Sequence, residues 1–214
     1  MEQFDSYASS FDTPVRFRRA QRIAEEIRKH LPVGQKKSAL EFGCGTGLLG
    51  MQLLDAFSSL IFMDTSPKML EKLKEKLALC PSETTRTMLH DLTQTLPEGV
   101  KTDLIFTSLV VHHIHDIAGL AQQFYALLHT GGRLMVVDLD SDDGGFHAKY
   151  PDFDGHHGFR QDSLASLLRQ AGFTAVQSHT FYRDVKYAGG TSHHYSLFLM
   201  LADKEQVGAV NKQQ

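Results

Sequence analysis

The chain has 214 residues, 42% of them hydrophobic and 22% charged, which excludes collagen-like, low-complexity and mostly disordered classes and predicts one domain. The 22 Lys and Arg residues against 25 Asp and Glu residues give a formal net charge of −3. Nothing in this balance offers the broad electrostatic attraction that nucleic acid or an anionic membrane requires.

The cysteines and the polar N-terminus indicate the compartment. Cys44 and Cys80 are the only cysteines of the sequence, which excludes a disulfide framework and a cysteine-rich metal site. No apolar signal core is present, and no stretch approaches the roughly 20 apolar residues that span a bilayer. We therefore expect a soluble cytoplasmic protein without nucleic-acid or membrane partners.

The first elements alternate between helix and strand. Apolar residues at helical spacing predict a helix from Pro14 to about residue 31, followed by a short buried strand over residues 38–42. After the glycine-rich segment 43–47, residues 48–54 are predicted to be the packed face of another helix. A second strand over 59–63 follows, and Ser66-Pro67 predicts the start of the next helix.

The alternation continues to about residue 139. Strands are predicted over 84–89, 103–108 and 133–138, with a helix over 117–128. Alternating strands and helices are typical of a parallel sheet that is covered on both faces.

The remainder of the chain changes character. Residues 141–158 are rich in Asp, Gly and His and are predicted to form a loop, and a short helix over 164–171 follows. Two further strands, 173–182 and 194–201, are best paired antiparallel, since the connection between them is too short for a parallel return.

Polar residues and glycines cluster where the predicted parallel strands end, which is where open α/β sheets bind ligands. The glycines at 43–47 allow a tight turn and a close approach of the backbone to a ligand. Asp64 is placed to bind two adjacent ribose hydroxyls, and Asp91 is placed to accept from an adenine amino group. Taken singly, the glycines are equally compatible with a structural turn, and Asp64 with an acid that flanks a helix.

Five segments in register resemble the motifs of the class I S-adenosylmethionine (SAM) dependent methyltransferases. They are Leu40-Glu41-Phe42-Gly43-Cys44-Gly45-Thr46-Gly47, Phe62-Met63-Asp64-Thr65-Ser66, His90-Asp91-Leu92, residues 103–114, and Gly131-Gly132-Arg133-Leu134 with Asp138. The resemblance extends over residues 4–201. It implies an α/β, Rossmann-like doubly wound sheet, mostly parallel with a C-terminal antiparallel strand and helices on both faces.

The resemblance also implies the cofactor and its site. The cofactor is SAM, released as S-adenosylhomocysteine, and the residues implied to bind it are Glu41, Gly43, Cys44, Gly45, Gly47, Asp64, Thr65, Met69, Asp91, Leu92 and Thr107. Glu41 is implied to order the cofactor loop and the methionine end. Residues 1–34 are implied to form a helical lid, in which Phe4, Tyr7 and Phe11 belong to the stretch that folds over the cofactor. Residues 35–203 are implied to form the core, and residues 204–214 a polar tail.

The acceptor is inferred mostly by exclusion. The run Thr107-Ser108-Leu109-Val110 differs from the Asn/Asp-Pro-Pro-Tyr motif of base methyltransferases, and no basic stripe is present. A small-molecule acceptor is therefore expected, in a pocket that includes Tyr7, His113, His147 and His156. His113 is the candidate catalytic residue, with a purely structural hydrogen bond as its alternative. The 12 histidines show no recognised metal-ligand spacing, so they are interpreted mainly as solvated loop residues and no metal is expected.

Two other functions stay open from the sequence. Gly45-x-Gly47-x-x-Gly50 formally matches the dinucleotide fingerprint, and Asp64 suits the ribose of a nicotinamide nucleotide, so an NAD(P)-dependent oxidoreductase is one alternative. The position of Gly45 beyond the end of the strand, and an acid at Glu41 within it, argue against this function. The second alternative is a SAM-binding protein without transferase activity.

Overall fold

The computed structural model describes residues 5, 8–150, 152–188 and 190–205. Its strands are β1 (Lys37–Phe42), β2 (Phe57–Asp64), β3 (Thr85–Leu89), β4 (Thr102–Ser108), β5 (Leu128–Leu139), β6 (Thr174–Ala188) and β7 (Thr191–Asp203). They form one sheet in the order β3-β2-β1-β4-β5-β7-β6. Strands β1 to β5 are parallel, and β7 pairs antiparallel with both β5 and β6. The predicted fold class is confirmed, and the strand order reverses between β1 and β4.

The α-helices begin where the sequence places capping side chains. They are α1 (Pro14–Arg28), α2 (Pro67–Leu79), α3 (Ile117–Leu127) and α4 (Gln161–Gln170). The side chains of Thr13, Ser66 and Asp116 each accept a backbone N–H in the first turn of α1, α2 and α3, which satisfies a donor that the helix leaves unpaired. None of the helices in the described parts of the chain is long and apolar enough to cross a membrane.

Two apolar layers hold the helices against opposite faces of the sheet. Helices α1 and α2 pack on the face that includes Phe62 and Phe106, whereas α3 and α4 pack on the face that includes Met63 and Ile105. These four side chains are fully buried, and each is worth about 1.5–3 kcal/mol relative to an exposed position. Because side chains alternate between the two faces along β2 and β4, each of these strands packs into both apolar layers. This packing fixes the position of the carboxyl ends of the strands.

The helix predicted to have residues 48–54 on its packed face is a 3₁₀-helix, Gly50–Ala56. Gly50 lies against the carboxylate of Glu41 and the ring of Phe62, and β2 begins immediately afterwards at Phe57. The connection therefore leaves room only for a short, tightly wound segment.

The C-terminal hairpin is longer than predicted. Residues 183–193 were expected to be a connection, but β6 and β7 continue to pair up to Ala188 and Thr191. The ladder between β5 and β7 ends at Leu139, and one further bond follows, from the N–H of Asp140 to the carbonyl of Ser196 at 3.0 Å. From residue 195 back to residue 191, the described part of β7 pairs only with β6. Because the extension contributes little to the core, the apolar pattern did not indicate it.

Candidate functional site

The turn after β1 is built closely against the turn after β4. Gly43 has a φ of +68°, and a Cβ at this position would overlap the side chain of Val110. The N–H of Cys44 donates to the carbonyl of Met63 at 3.0 Å, which fixes the turn to the end of β2. The sequence therefore requires glycine at 43, and the turn closes one side of a cavity.

Asp64, the last residue of β2, is held by backbone donors. One carboxylate oxygen accepts the N–H of Gly45 at 2.7 Å and the other accepts the N–H of Ser66 at 2.9 Å. Burial nevertheless raises the pKa of Asp64 above its ordinary value, and the backbone hydrogen bonds offset part of that rise. The side chain is thus fixed at the floor of the cavity, where a ligand can reach it.

Glu41 lies within β1 with only 3% of its surface exposed. Its Oε2 has no well-formed hydrogen bond among the described residues, and the backbone of Gly50 interacts with the carboxyl group only enough to offset a small part of the rise in its pKa. Burial, and then the charge of Asp64, raise the pKa of Glu41 well above its ordinary value. An unpaired buried acceptor of this kind costs free energy that a cationic or donor ligand would recover.

A cavity of about 210 Å³ brings most of the predicted cofactor residues together. The predicted residues that line it are Glu41, Gly43, Cys44, Gly45, Asp64, Thr65, Met69, Asp91 and His113. At the far end, one oxygen of Asp91 accepts both the N–H and the hydroxyl of Thr93. The other carboxylate oxygen of Asp91 is not used in those two bonds.

Three predicted cofactor residues do not line this cavity. Gly47 shapes the turn instead, since its N–H donates to the carbonyl of Cys44 and a Cβ would overlap Leu73. Leu92 is fully buried in the apolar layer that also holds α3. Thr107 is also fully buried, and its Oγ1 has no partner in the described part of the chain. The side chains of Leu92 and Thr107 are buried, and their neighbours in sequence, Asp91 and Ser108, line the cavity instead.

Helix α1 contributes residues that the sequence analysis did not identify. Arg16, Arg19, Ala20 and Ile23 line the cavity, and their spacing of three and four places them on one helical face. Phe11, which precedes the helix, also lines the cavity. The sequence does contain one indication of this cavity: the two arginines share a helical face with Ala20 and Ile23, whereas charged residues normally lie on the opposite face from apolar ones.

A second cavity, of about 530 Å³, adjoins the first. The two share Phe11, Arg16, Arg19, Leu109 and His113, and the second adds Thr13, Val15, His112, Phe146, His147, Lys149, Tyr150, Phe153, Val185, Lys186, Tyr187 and Tyr195. The shared residues form the boundary between a glycine-turn side and a histidine-rich side.

The second cavity is electropositive. Burial, followed by repulsion from Arg19 and Arg16, lowers the pKa of Lys186 to about 8. Burial and Arg19 likewise lower the pKa of Arg16. Asp184, on the same hairpin as Lys186, accepts the hydroxyl of Tyr182 at 2.6 Å. A cavity that holds several cations together favours a negatively charged ligand.

The structure places the predicted pocket histidines differently from one another. His113 lines both cavities, and burial and His112 lower its pKa to about 4. His147 lines only the second cavity, and His156 lines neither, since its Nε2 lies 3.0 Å from the carbonyl of Ile114. Tyr7 and Phe4 lie outside the described residues.

The interpretation of the histidines as solvated loop residues is wrong for two of them. His112 and His147 are 1% and 5% exposed. The fully buried carboxylate of Asp138 lies 2.6 Å from Nδ1 of His112. The rings of His112 and His147 lie 5.0 Å apart, and His147 stacks on Phe153, so the segments after β4 and β5 enclose each other's histidines.

Comparisons with known proteins agree with this architecture. The profile of the family described as "Methyltransferase domain" matches residues 15–178. An uncharacterized methyltransferase of Schizosaccharomyces pombe is 28% identical over 196 residues, which are 82% of this chain and 69% of that protein. A malonyl-[acyl-carrier protein] O-methyltransferase of Ilyobacter polytropus is 33% identical over 137 residues, which are 62% of this chain and 49% of that protein.

A solved structure shows the same fold at low sequence identity. Phosphoethanolamine N-methyltransferase 2 of Haemonchus contortus, crystallised in one case with phosphomonomethylethanolamine and S-adenosylhomocysteine and in another with SAM, superimposes with a TM-score of 0.71. The identity is 14%, and the match covers 86% of this chain and 52% of that chain. With the family profile spanning most of the described core, the chain belongs to the class I SAM-dependent methyltransferase family.

Proposed function

We propose that this methyltransferase transfers a methyl group to a small-molecule acceptor that carries a negatively charged group. The observation that supports this most directly is the junction of the two cavities at shared residues. One cavity contains the acids suited to a nucleoside, and the other contains the cations suited to an anion. The boundary between them is where a methyl donor and an acceptor would meet.

In this proposal the residues lining the first cavity bind SAM. Asp64 accepts the ribose hydroxyls and the second oxygen of Asp91 accepts the adenine amino group, beside Thr65 and Met69. The turn at Gly43, Cys44 and Gly45 encloses the methionine end. The orphaned Oε2 of Glu41 fits there, because the ammonium of a methionine moiety is a donor that would satisfy it.

The lid assignment for residues 1–34 is also a proposal. Asp12 accepts the hydroxyl of Thr46 at 2.5 Å and pairs with Lys76 at the same distance, which ties the segment before α1 to the glycine turn and to α2. Phe11 and Arg16 continue this segment across both cavities. Such a cover would exclude water from the transfer and align the reactants.

The methyl transfer makes modest demands on the protein. The sulfonium supplies an already activated methyl group, so alignment and water exclusion account for most of the rate, worth up to about 7–11 kcal/mol. A base is needed only for a protonated acceptor. His113 lines both cavities, at the boundary where donor and acceptor would meet, so this position suits it to orient the acceptor.

The anionic character of the acceptor rests on Arg16, Arg19 and Lys186. The name of one relative contains a malonyl group, and the name of the crystal complex includes the bound ligand phosphomonomethylethanolamine; both compounds carry acidic groups. These names describe those proteins, and they are consistent with the charge of this cavity.

Two measurements test the proposal. Calorimetry should show binding of S-adenosylhomocysteine and none of NAD. Formation of S-adenosylhomocysteine should then be followed with small carboxylates, phosphate monoesters and, as matched controls, the neutral amides or esters of the same compounds. Turnover of the anionic members alone is expected. Turnover of the neutral controls with equal kcat/KM would overturn the assignment of an anionic acceptor, and binding of NAD in place of S-adenosylhomocysteine would overturn the cofactor site.

A further inference from the structure

We propose that His112, His113 and His147 form a binding site for a single transition-metal ion of the zinc type, at the boundary between the two cavities. One ring nitrogen of each residue lies within 4.8 Å of those of the other two. Two of the rings are buried and the third is partly buried. The three histidines come from two loops that are far apart in sequence, so the fold itself brings them together.

His112 is oriented as a metal ligand by a buried carboxylate. Asp138 Oδ1 lies 2.6 Å from Nδ1 of the ring, and Asp138 Oδ2 accepts the backbone N–H of His112 at 3.2 Å. An ionised carboxylate accepts the Nδ1 proton and leaves Nε2 with a free lone pair, which is the arrangement found behind many metal-binding histidines.

His147 carries an unsatisfied polar atom. Its Nδ1 is buried and has no hydrogen-bond partner in the described ranges of the chain. The ring stacks on Phe153 with centroids 3.7 Å apart and planes 3° from parallel, which fixes its orientation. A buried, unpaired and rigidly held imidazole nitrogen requires a ligand or a water molecule.

The geometry and donor chemistry indicate the class of ion. Nitrogens around a tetrahedral zinc ion are about 3.3 Å apart at the usual bond length. Because the candidate nitrogens all lie within 4.8 Å of one another, each pair would have to approach by at most about 1.5 Å to bind such an ion. Three imidazoles suit Zn²⁺ and its first-row neighbours, whereas Mg²⁺ and Ca²⁺ prefer oxygen ligands.

Lys186, a cation of the second cavity, does not occupy the site, because its ammonium donates to the carbonyl of Phe146 at 2.5 Å. The other candidate cluster, Glu26 with His30 and His179, is partly exposed, and Glu26 is already bonded to Lys29 and His179. This second cluster therefore serves as the control in the test, and we do not propose it as a metal site.

Three protein ligands leave one coordination position open, as in catalytic zinc sites. Since His113 lines both cavities, the open position would face the boundary where the acceptor lies. A bound hydroxyl or thiol would lose its proton more readily there. This last consequence rests on the proposed function, whereas metal binding itself does not.

The test uses the full chain after treatment with a chelator. Titration with Co²⁺ should give the intense visible absorption of tetrahedral coordination, and calorimetry with Zn²⁺ should give one ion per chain. The variant His147→Phe keeps the stacking on Phe153 but removes both nitrogens, and it should weaken Zn²⁺ binding at least 100-fold. Asp138→Asn should weaken it by about 10–100-fold. The control His179→Ala should bind as the unaltered chain does.

Several outcomes would overturn the proposal. They are weak, octahedral Co²⁺ absorption in the unaltered chain, undiminished Zn²⁺ affinity in His147→Phe, and loss of binding in His179→Ala alone. The spectrum of the unaltered chain decides the matter if a variant does not fold. Binding of S-adenosylhomocysteine, measured on the same samples, should persist in His147→Phe because His147 lies outside the first cavity. Failure of the cofactor site is thereby distinguished from failure of the metal site.

Discussion

Asp64 accepts the backbone N–H of Gly45 at 2.7 Å, so the acid at the end of β2 is bonded directly to the turn that follows β1. A second N–H, from Ser66, reaches the other carboxylate oxygen. The carboxylate is therefore oriented before any ligand arrives, and its position depends on two neighbouring strands.

The first prediction concerns this carboxylate. Asp64→Ala should weaken S-adenosylhomocysteine binding by about 10–100-fold, because hydrogen bonds to a charged group are worth about 1.5–3 kcal/mol. Calorimetry measures the change, and Asp55→Ala, at an exposed acid paired with Arg28, is the matched control. Equal affinity in Asp64→Ala and the unaltered chain would contradict the proposed ribose contact.

The second prediction concerns the protonation of Glu41. In the unfolded chain this acid ionises near 4.5, whereas burial raises its pKa well above that value in the folded chain. The folded chain therefore keeps this proton to a higher pH than the unfolded chain does. The stability that this difference contributes is complete below pH 4.5, and it is lost as the pH rises through the pKa of Glu41 in the folded chain. Glu41→Gln removes this loss because the amide stays neutral.

Without cofactor, Glu41→Gln should exceed the unaltered chain in free energy of unfolding at pH 8 by more than at pH 5. The expected gain is about 1.4 kcal/mol for each pH unit between the unfolded and folded pKa values. Urea unfolding at the two pH values measures it, with Glu75→Gln on the exposed side of α2 as control. An identical pH dependence in Glu41→Gln and the unaltered chain would show that Glu41 is ionised when folded.

The third prediction separates two costs at Gly43. Gly43→Ala must adopt a positive φ and also overlap Val110, whereas Gly34→Ala has a positive φ and no atom within 4 Å of the new Cβ. Backbone strain alone costs about 1–2 kcal/mol, so Gly34→Ala should lose about that much and Gly43→Ala distinctly more. Denaturant unfolding gives both values. In the double variant, Val110→Ala should reduce the cost of Gly43→Ala, because it removes the methyl groups that the new Cβ would overlap. If the two substitutions instead lowered the free energy of unfolding additively, the overlap would be contradicted.

The fourth prediction concerns Lys186, whose pKa is lowered to about 8, chiefly by burial. Above that pH the amine loses its charge, so KM for an anionic acceptor should rise as the pH passes from about 7 to about 9. Lys186→Arg should flatten the rise, because a guanidinium stays protonated. Steady-state kinetics at several pH values test this, with Lys72→Arg on α2 as control. A KM that rises equally in Lys186→Arg would assign the effect to another group.

Helix starts and strand ends, which depend on residues that are close together in sequence, were predicted correctly. Ser66-Pro67 began a helix as expected, and the buried strands ended at Phe42, Asp64 and Ser108. Once those ends were placed, Asp64 and the glycine turn followed, because parallel strands deliver their carboxyl ends to one edge. The predicted fold class, a mostly parallel sheet with an antiparallel C-terminal strand, is confirmed, and the structure adds the order of its seven strands.

Features that depend on packing between distant segments were not predictable in the same way. The enclosure of His147 depends on Phe153 and on the loop after β4, and no spacing within its own loop indicates it. The family resemblance implied that Leu92 and Thr107 bind the cofactor, but a motif does not fix which way each side chain points, since successive side chains of a strand lie on opposite faces. Tertiary contacts alone decide such positions.

The paired ends of β6 and β7 reach past the end of β5 and carry Lys186 to the second cavity. Among the described residues, this arm is not paired with β1 or β2, the strands that carry Glu41 and Asp64. If the proposed function is correct, substitutions in the arm would alter the selectivity for the acceptor and leave the proposed SAM cavity unchanged.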